Sequence, residues 1–290
     1  MRALIVGCGY VGLPLGEELA KRGHKVFGLR RSASADGELK AAGIAPIHAD
    51  ITKPETLASL PTDFDWVVNC AASGGGGVED YRRLYLEGTR NFIEWLSSSP
   101  PQKYVYTSST SVYGQDDGSL VAESDPVVPP TETGRVLVET ENLLRAATAE
   151  KNFPAVVLRV AGIYGPDRGF WLRQFLKNEA SIEGKGDRFL NMIHRDDVVG
   201  CIIAALLNAQ PGEVYNAVDD EPVSQFDFFT WLASQLRKEM PPSVPADPGR
   251  RRGVTNKRVS NGRLKQELAY RFKYPTFRDG YTVELQHRAR

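Results

Sequence analysis

Over the first 160 or so positions, apolar runs of strand length alternate with amphipathic stretches of helical period. Ala3-Leu4-Ile5-Val6 is the first run, and Leu13 to Arg22 behind it reads as a helix. Lys25–Leu29, Ile44–Ala49, Trp66–Ala71, Tyr104–Thr107 and Ala155–Val160 follow as further strands. Trp66–Ala71 is apolar almost throughout, the character of a strand covered on both faces. Asp80–Ser97 is the clearest helix, with Tyr81, Leu84, Tyr85, Phe92, Ile93 and Leu96 on one stripe, and Val136–Ala149 is another. Strand–helix alternation with right-handed crossovers predicts an α/β chain built on a doubly wound parallel sheet. After Gly165-Pro166 the pieces become shorter and more polar, with Gly184, Gly186 and the run Pro241-Pro242-Ser243-Val244-Pro245. Asp196–Asn208 reads as a helix, Glu213–Val218 as a strand returning to the main sheet, and Ala246–Thr255 as a mobile basic loop. The expected organisation is a domain over 1–165 and a smaller lobe over 166–290 interleaved with it, 196–218 returning to the first domain.

The glycines between the first strand and the first helix change what that fold is for. Gly7-Cys8-Gly9-Tyr10-Val11-Gly12 is G-x-G-x-x-G in strand–turn–helix context, the signature of a Rossmann dinucleotide site. Gly7 allows the tight turn, Gly9 the approach of a pyrophosphate and Gly12 the packing of helix on strand. The helix N-terminus offers N–H groups and a positive dipole end to the phosphates. The second strand runs into Arg30-Arg31-Ser32, with no acid before Asp36. Arginines there suit the 2′-phosphate of NADP, so NADP is expected ahead of NAD. Asp50 and Ile51, after the third strand, are candidates for the adenine, Asp50 toward its amino group and Ile51 against the ring. Asp50 reads equally as a turn or cap residue before Thr52-Lys53-Pro54.

Composition removes several alternatives. The chain has 290 residues, with 36 Lys+Arg against 36 Asp+Glu, so no net field favours nucleic acid or an anionic membrane. No apolar run approaches the ~20 residues of a membrane span, and the first strand is too short for a signal peptide. Cys8, Cys70 and Cys201 lie far apart without zinc-knuckle spacing and read as reduced thiols of a cytoplasmic protein. No metal site is expected.

Beyond the fifth strand stands Tyr106-Thr107-Ser108-Ser109-Thr110-Ser111-Val112-Tyr113-Gly114. It resembles the S-S-x-x-V-Y-G segment of the extended short-chain dehydrogenases/reductases, the nucleotide-sugar epimerase and dehydratase family. Val157-Leu158-Arg159 with Gly162-Ile163-Tyr164-Gly165-Pro166, Ile193-His194-Arg195-Asp196-Asp197-Val198, and Val214-Tyr215-Asn216-Ala217 with Glu221-Pro222-Val223-Ser224 continue the resemblance in order. Lys257-Arg258-Val259-Ser260-Asn261, with Leu264 and Tyr274-Pro275, is similar to an atypical branch of that family. The resemblance implies a dinucleotide held at the glycine loop, with Ala71 and Ala72 after the fourth strand joining Cys8, Tyr10 and Val11 around it. It also implies a small-molecule substrate of nucleotide-sugar type in a substrate lobe. Relatives pair through the helices here represented by Asp80–Ser97 and Val136–Ala149, which implies a homodimer.

By position Ser109 matches the family's catalytic serine or threonine. The family's Y-x-x-x-K is missing. Thr133 takes the tyrosine position and Leu137 the lysine position in Thr133-Gly134-Arg135-Val136-Leu137. An aliphatic hydroxyl is a far weaker acid than a phenol, whose ordinary pKa is near 10, and leucine supplies no charge with which to tune one. The atypical branch also lacks the dyad. Tyr113 and Tyr164 are therefore candidate substitute acids with Ser109, and Thr133 and His194 are candidate substrate contacts. Asp196 is expected to cap the helix that follows, and Glu123 to be a solvated loop carboxylate. Two function classes remain open, an NADP(H)-linked oxidoreductase or epimerase with a non-standard site and a non-catalytic dinucleotide-binding sensor or scaffold.

Overall fold

A computed structural model describes residues 1–75, 77–245 and 255–288. Seven parallel strands form the sheet, namely β1 (Arg2–Val6), β2 (Lys25–Arg30), β3 (Ile44–His48), β4 (Trp66–Asn69), β5 (Lys103–Ser109), β6 (Ala155–Val160) and β7 (Val214–Ala217). Their spatial order is β7-β6-β5-β4-β1-β2-β3. Order reverses beside β1, the switch point at which open α/β sheets take ligands across their strand ends. β6 has the bounds its pattern predicts, and β7 does return to the sheet, with Val214 opposite Val157 and Ala217 opposite Val160. Of the loop expected over Ala246–Thr255, all but Thr255 lies outside the described residues.

Side chains alternate across the pleat, so each strand feeds two cores. Ala3 and Ile5 face one side with Leu15 and Leu19 of α1 (Gly12–Lys21) and the apolar residues of Arg195–Asn208. Leu4 and Val6 face the other side with Phe92, Ile93 and Leu144. Helix α2 (Glu132–Lys151) begins four residues before the periodic stretch, because Thr131 caps it by accepting the Gly134 N–H at 3.1 Å. The expected Asp80–Ser97 helix is a run of three pieces, Val78–Tyr81, a π-helical segment Arg82–Glu87, and Gly88–Trp95. It lies along α2, joined by Arg82 in a bidentate pair with Glu139 at 2.8 and 3.2 Å. Off the sheet, Tyr164, Leu172, Phe175, Phe228, Phe229, Phe277 and Tyr281 form a third core. Among the described residues, no helix is long and apolar enough to cross a membrane.

Candidate active site

The three glycines occupy three different steric situations. Gly7 has φ +86°, and a Cβ there would stand 2.5 Å from Ala71 Cα. Gly12 leaves no room either, since its Cβ would meet the Gly7 carbonyl oxygen at 2.3 Å. Gly9 is exposed, and a Cβ on it would meet nothing within 4 Å. The first two thus hold loop, helix and β4 together, and the third leaves open space before the N-terminus of α1. No side chain caps that helix and its first turn carries no acid, so an anionic pyrophosphate fits there. Cys8 is packing within this loop. Its Sγ lies 3.5 Å from the Ile5 carbonyl, and burial pushes the thiol up to about 12. The Tyr10 side chain turns away from the loop. Its hydroxyl donates to the Pro166 carbonyl at 3.0 Å, and its ring lies under the guanidinium groups of Arg168 and Arg195 at 4.9 and 5.4 Å. Only the backbone of Tyr10, like that of Val11, is left to face a phosphate.

At the other end of the cleft, Arg30 closes β2 half-buried, with Glu38 3.9 Å away, and Arg31 is exposed. Asp36 is held by His48 at 2.9 Å. Asp50 makes the turn before Thr52, its Oδ1 accepting from Thr52 N at 3.0 Å and from Thr52 Oγ1 at 2.8 Å. Ile51 does not present its side chain to a ring. It is 4% exposed and packs on Gly88, where a Cβ would lie 2.9 Å from it.

Ser109 ends β5 half-buried, and its Oγ accepts the Ser111 N–H at 3.2 Å. The start of α2 rests on that turn, since a Cβ on Gly134 would sit 3.3 Å from the Ser111 carbonyl. Thr133 is thereby brought to the end of β5, half-buried, its hydroxyl 3.4 Å from that of Thr131. Leu137 is 5% exposed and belongs to the same apolar cluster as Val112 and Tyr113. The lysine position is core.

Three candidates turn inward. Tyr113 is fully buried, accepting from Arg159 Nη1 at 2.8 Å and donating to Asn216 Oδ1 at 2.9 Å. Tyr164 is buried and stacked on Tyr281, rings 4.2 Å apart, with its hydroxyl aimed at the Thr276 carbonyl. Neither phenol is placed to reach a substrate, and burial pushes both above the ordinary tyrosine value. His194 is 1% exposed with both nitrogens engaged. Nδ1 accepts the Asp196 N–H at 3.1 Å, and Nε2 lies 3.2 Å from Glu284 Oε1. Burial lowers its pKa, so it is a neutral imidazole with Nε2–H toward Glu284. His194, not Asp196, is the cap, while Asp196 pairs with Arg195 and Lys273.

The correction at Tyr113 extends to its neighbours. The motif residues around Ser109 form a buried polar network. Arg159 reaches Glu141 Oε2 at 2.7 Å, Ser108 donates to Glu141 Oε1 at 2.6 Å, and Glu123 accepts the Asn216 N–H at 2.7 Å. Glu123 is thus a half-buried member of the network and not a solvated carboxylate. The ion pair inside it is 2% exposed on both sides, so every lone pair must find a donor within the fold. Sequence reading also passed over Lys257. It is 6% exposed, its Nζ bonds only the Thr255 hydroxyl at 2.7 Å among the described residues, and burial lowers its pKa to about 8. The one signal for it was its place in Lys257-Arg258-Val259-Ser260-Asn261.

Comparison with known proteins agrees with this architecture. A model of the NAD dependent epimerase/dehydratase family matches residues 3–217. The chain is similar to protein YeeZ of Escherichia coli K12, 29% identical over 287 residues that cover 94% of this chain and 96% of that one. A solved Methylobacillus flagellatus protein, provisionally described as an NAD-dependent epimerase/dehydratase, superposes with TM-score 0.80 at 33% identity, covering 100% of this chain and 99% of its own. The Bacillus cereus UDP-glucuronic acid 4-epimerase, solved with UDP-glucuronic acid and NAD, shares the fold with TM-score 0.83 at 23% identity, covering 99% and 98%.

Proposed function

This chain belongs to the NAD dependent epimerase/dehydratase family, and on that premise we propose that it is an NADP(H)-linked oxidoreductase or epimerase with a non-standard active site. Its substrate is a small molecule with a carbonyl or secondary hydroxyl at the reacting carbon, of nucleotide-sugar type. The carrying observation is Gly9, exposed before an uncapped helix, with open space where a Cβ would go. Gly7 and Gly12 fix the loop around that space, and the N–H groups from Tyr10 to Gly12 would face the pyrophosphate. Cys8 packs under the loop, and Ala71 with Ala72 forms the wall on the β4 side. Arg30 and Arg31 would hold a 2′-phosphate, Arg31 having no ion pair among the described residues, and Asp50 Oδ2 would be left for the adenine amino group. When bound, the dinucleotide supplies hydride exchange with a carbon. Ser109 and Thr133 place hydroxyl groups where that carbon's oxygen would lie, and the region after 166, apart from the returning 196–218, covers the substrate.

The buried Leu137 favours a second reading, a dinucleotide-binding sensor or scaffold without turnover, because no charge stands where the family's lysine would tune an acid. A homodimer through the 78–95 run and α2 would join polar outer faces, since neither contributes to the large exposed apolar side chains. Light scattering reads that state directly. The test of the main reading is calorimetry with NADPH on the wild type and on Gly9→Ala. Binding in the wild type, weakened at least tenfold in a variant that keeps its thermal stability, is expected. Equal affinities, or no binding to either, would remove the glycine loop as the cofactor site.

A further inference from the structure

The site described so far has no acid able to protonate a substrate oxygen, because position 133 is threonine and the phenols of Tyr113 and Tyr164 are committed elsewhere. Another phenol stands over the strand ends. Tyr85 lies in the π-helical segment Arg82–Glu87, a backbone irregularity found often at functional sites. The Ser73 N–H donates to its Oη at 3.2 Å. The hydroxyl therefore accepts from the Ser73 backbone, and the Ser73 side chain is its other hydrogen-bonding neighbour among the described residues.

Two features locate that hydroxyl. Ser73 is two residues beyond Ala71, which stands against Gly7 at the glycine loop. Tyr85 packs against two apolar clusters, to which α2 contributes Leu137 and Leu144. The bond to Ser73 sets its hydroxyl against the loop that follows β4. Ser109 leaves the carboxyl end of β5, the strand hydrogen-bonded to β4 with Asn69 opposite Tyr106. Adjacent strands lie about 4.8 Å apart, so the loop carrying Ser73, the partner of Tyr85, leaves the sheet beside the strand that ends at Ser109. The helical run of Tyr85 also packs along α2, which carries Thr133 in its first turn. Tyr85 is half-buried, whereas Tyr113 and Tyr164 are buried.

We propose that Tyr85 is the proton donor of this site, giving its phenolic O–H to the carbonyl oxygen of a ketone or aldehyde substrate positioned by Ser109. The inference rests on the reading of the cleft as a dinucleotide-linked site. The Tyr85 O–H bond breaks as an O–H bond forms on the substrate oxygen, and the bonding pair stays on the phenolate. The carbon is reduced by a hydride whose source is reduced nicotinamide, the co-reactant. Burial raises the Tyr85 pKa above the usual phenol value, and the hydrogen bonds to the Ser73 backbone and side chain only partly offset that. The group is thus fully protonated at neutral pH, as a donor must be. It needs no neighbouring lysine, which accounts for a leucine being tolerated at 137.

The experiment has two readouts on the full chain. The first is nitration of Tyr85 by tetranitromethane, followed by peptide mass spectrometry with and without saturating NADPH. The second is oxidation of NADPH by 9,10-phenanthrenequinone, a reactive diketone, in wild type, Tyr85→Phe and Thr133→Ala. We expect NADPH to protect Tyr85. We also expect Tyr85→Phe to lower kcat about 100-fold or more, the scale of lost general acid catalysis. NADPH affinity by calorimetry should stay within about twofold of wild type, and Thr133→Ala should fall far less. Protection without the kcat loss overturns the donor role, as does a wild type that binds NADPH and reduces no diketone. Unchanged nitration in a protein that binds NADPH overturns the placement. Failure of NADPH to bind at all overturns the dinucleotide reading beneath both.

Discussion

Lys257→Met isolates the cost of a buried ammonium. Lys257 is 6% exposed, and among the described residues its ammonium finds one hydroxyl where it has three donors to place. Its pKa falls from 10.5 to about 8 because burial disfavours the charged form. A displacement of about 2.5 units corresponds to roughly 3 kcal/mol. The unfolded chain keeps this proton up to about pH 10.5 and the folded chain releases it near 8. Between those values the unfolded state binds more protons, so stability rises with pH, and below about 8 the whole penalty is carried. Methionine keeps an unbranched stem and removes the charge. It also loses the Thr255 hydrogen bond, about 1 kcal/mol. The variant should therefore be more stable than wild type by about 2 kcal/mol at pH 7, with the gap falling to near zero by about pH 9.5, where only about 1 kcal/mol of penalty remains. Urea unfolding at the two pH values measures this, as a midpoint shift at unchanged m. An equal gap at both values, or a variant less stable at pH 7, would refute the reasoning and point to an anionic partner for the amine.

Glu141→Ala strands the Arg159 guanidinium inside the fold and should cost about 3–5 kcal/mol in urea unfolding. A loss under about 1 kcal/mol would show that the network is ornamental to stability. Asp219 is 1% exposed, its Oδ2 has no partner among the described residues, and burial raises its pKa. A raised carboxyl pKa stabilises the fold below the ordinary carboxylate range and loses that contribution as pH rises, so Asp219→Asn should gain on wild type between about pH 4 and pH 7 in thermal unfolding. A constant difference between the two proteins would contradict it. NADPH should bind more tightly than NADH, and Arg30→Ala with Arg31→Ala should erase the preference in calorimetry. Equal affinities in the wild type would remove both arginines from the cofactor site.

Local pattern by itself determined the sheet and the glycine loop. A strand's alternation and a helix's stripe are properties of consecutive residues, which is why Ala155–Val160 was legible to the residue and why Gly7, Gly9 and Gly12 could be assigned separate roles before their surroundings were known. The loss of a usable acid at Thr133 and of a charge at Leu137 was equally legible, since it depends on residue type alone. What tertiary structure decided is where each polar side chain finds its partner. Tyr113 meets Asn216 across 103 residues, Glu123 meets that residue's N–H across 93, and His194 meets Glu284 across 90. No periodicity encodes such pairings, and a buried polar group must have a partner from wherever the fold brings one. That requirement drew two candidate phenols and the candidate histidine into the interior. It left Lys257 buried on a single hydroxyl among the described residues, and it set Tyr85, one residue in an apolar stripe when read along the chain, with its hydroxyl on Ser73 in the loop after β4.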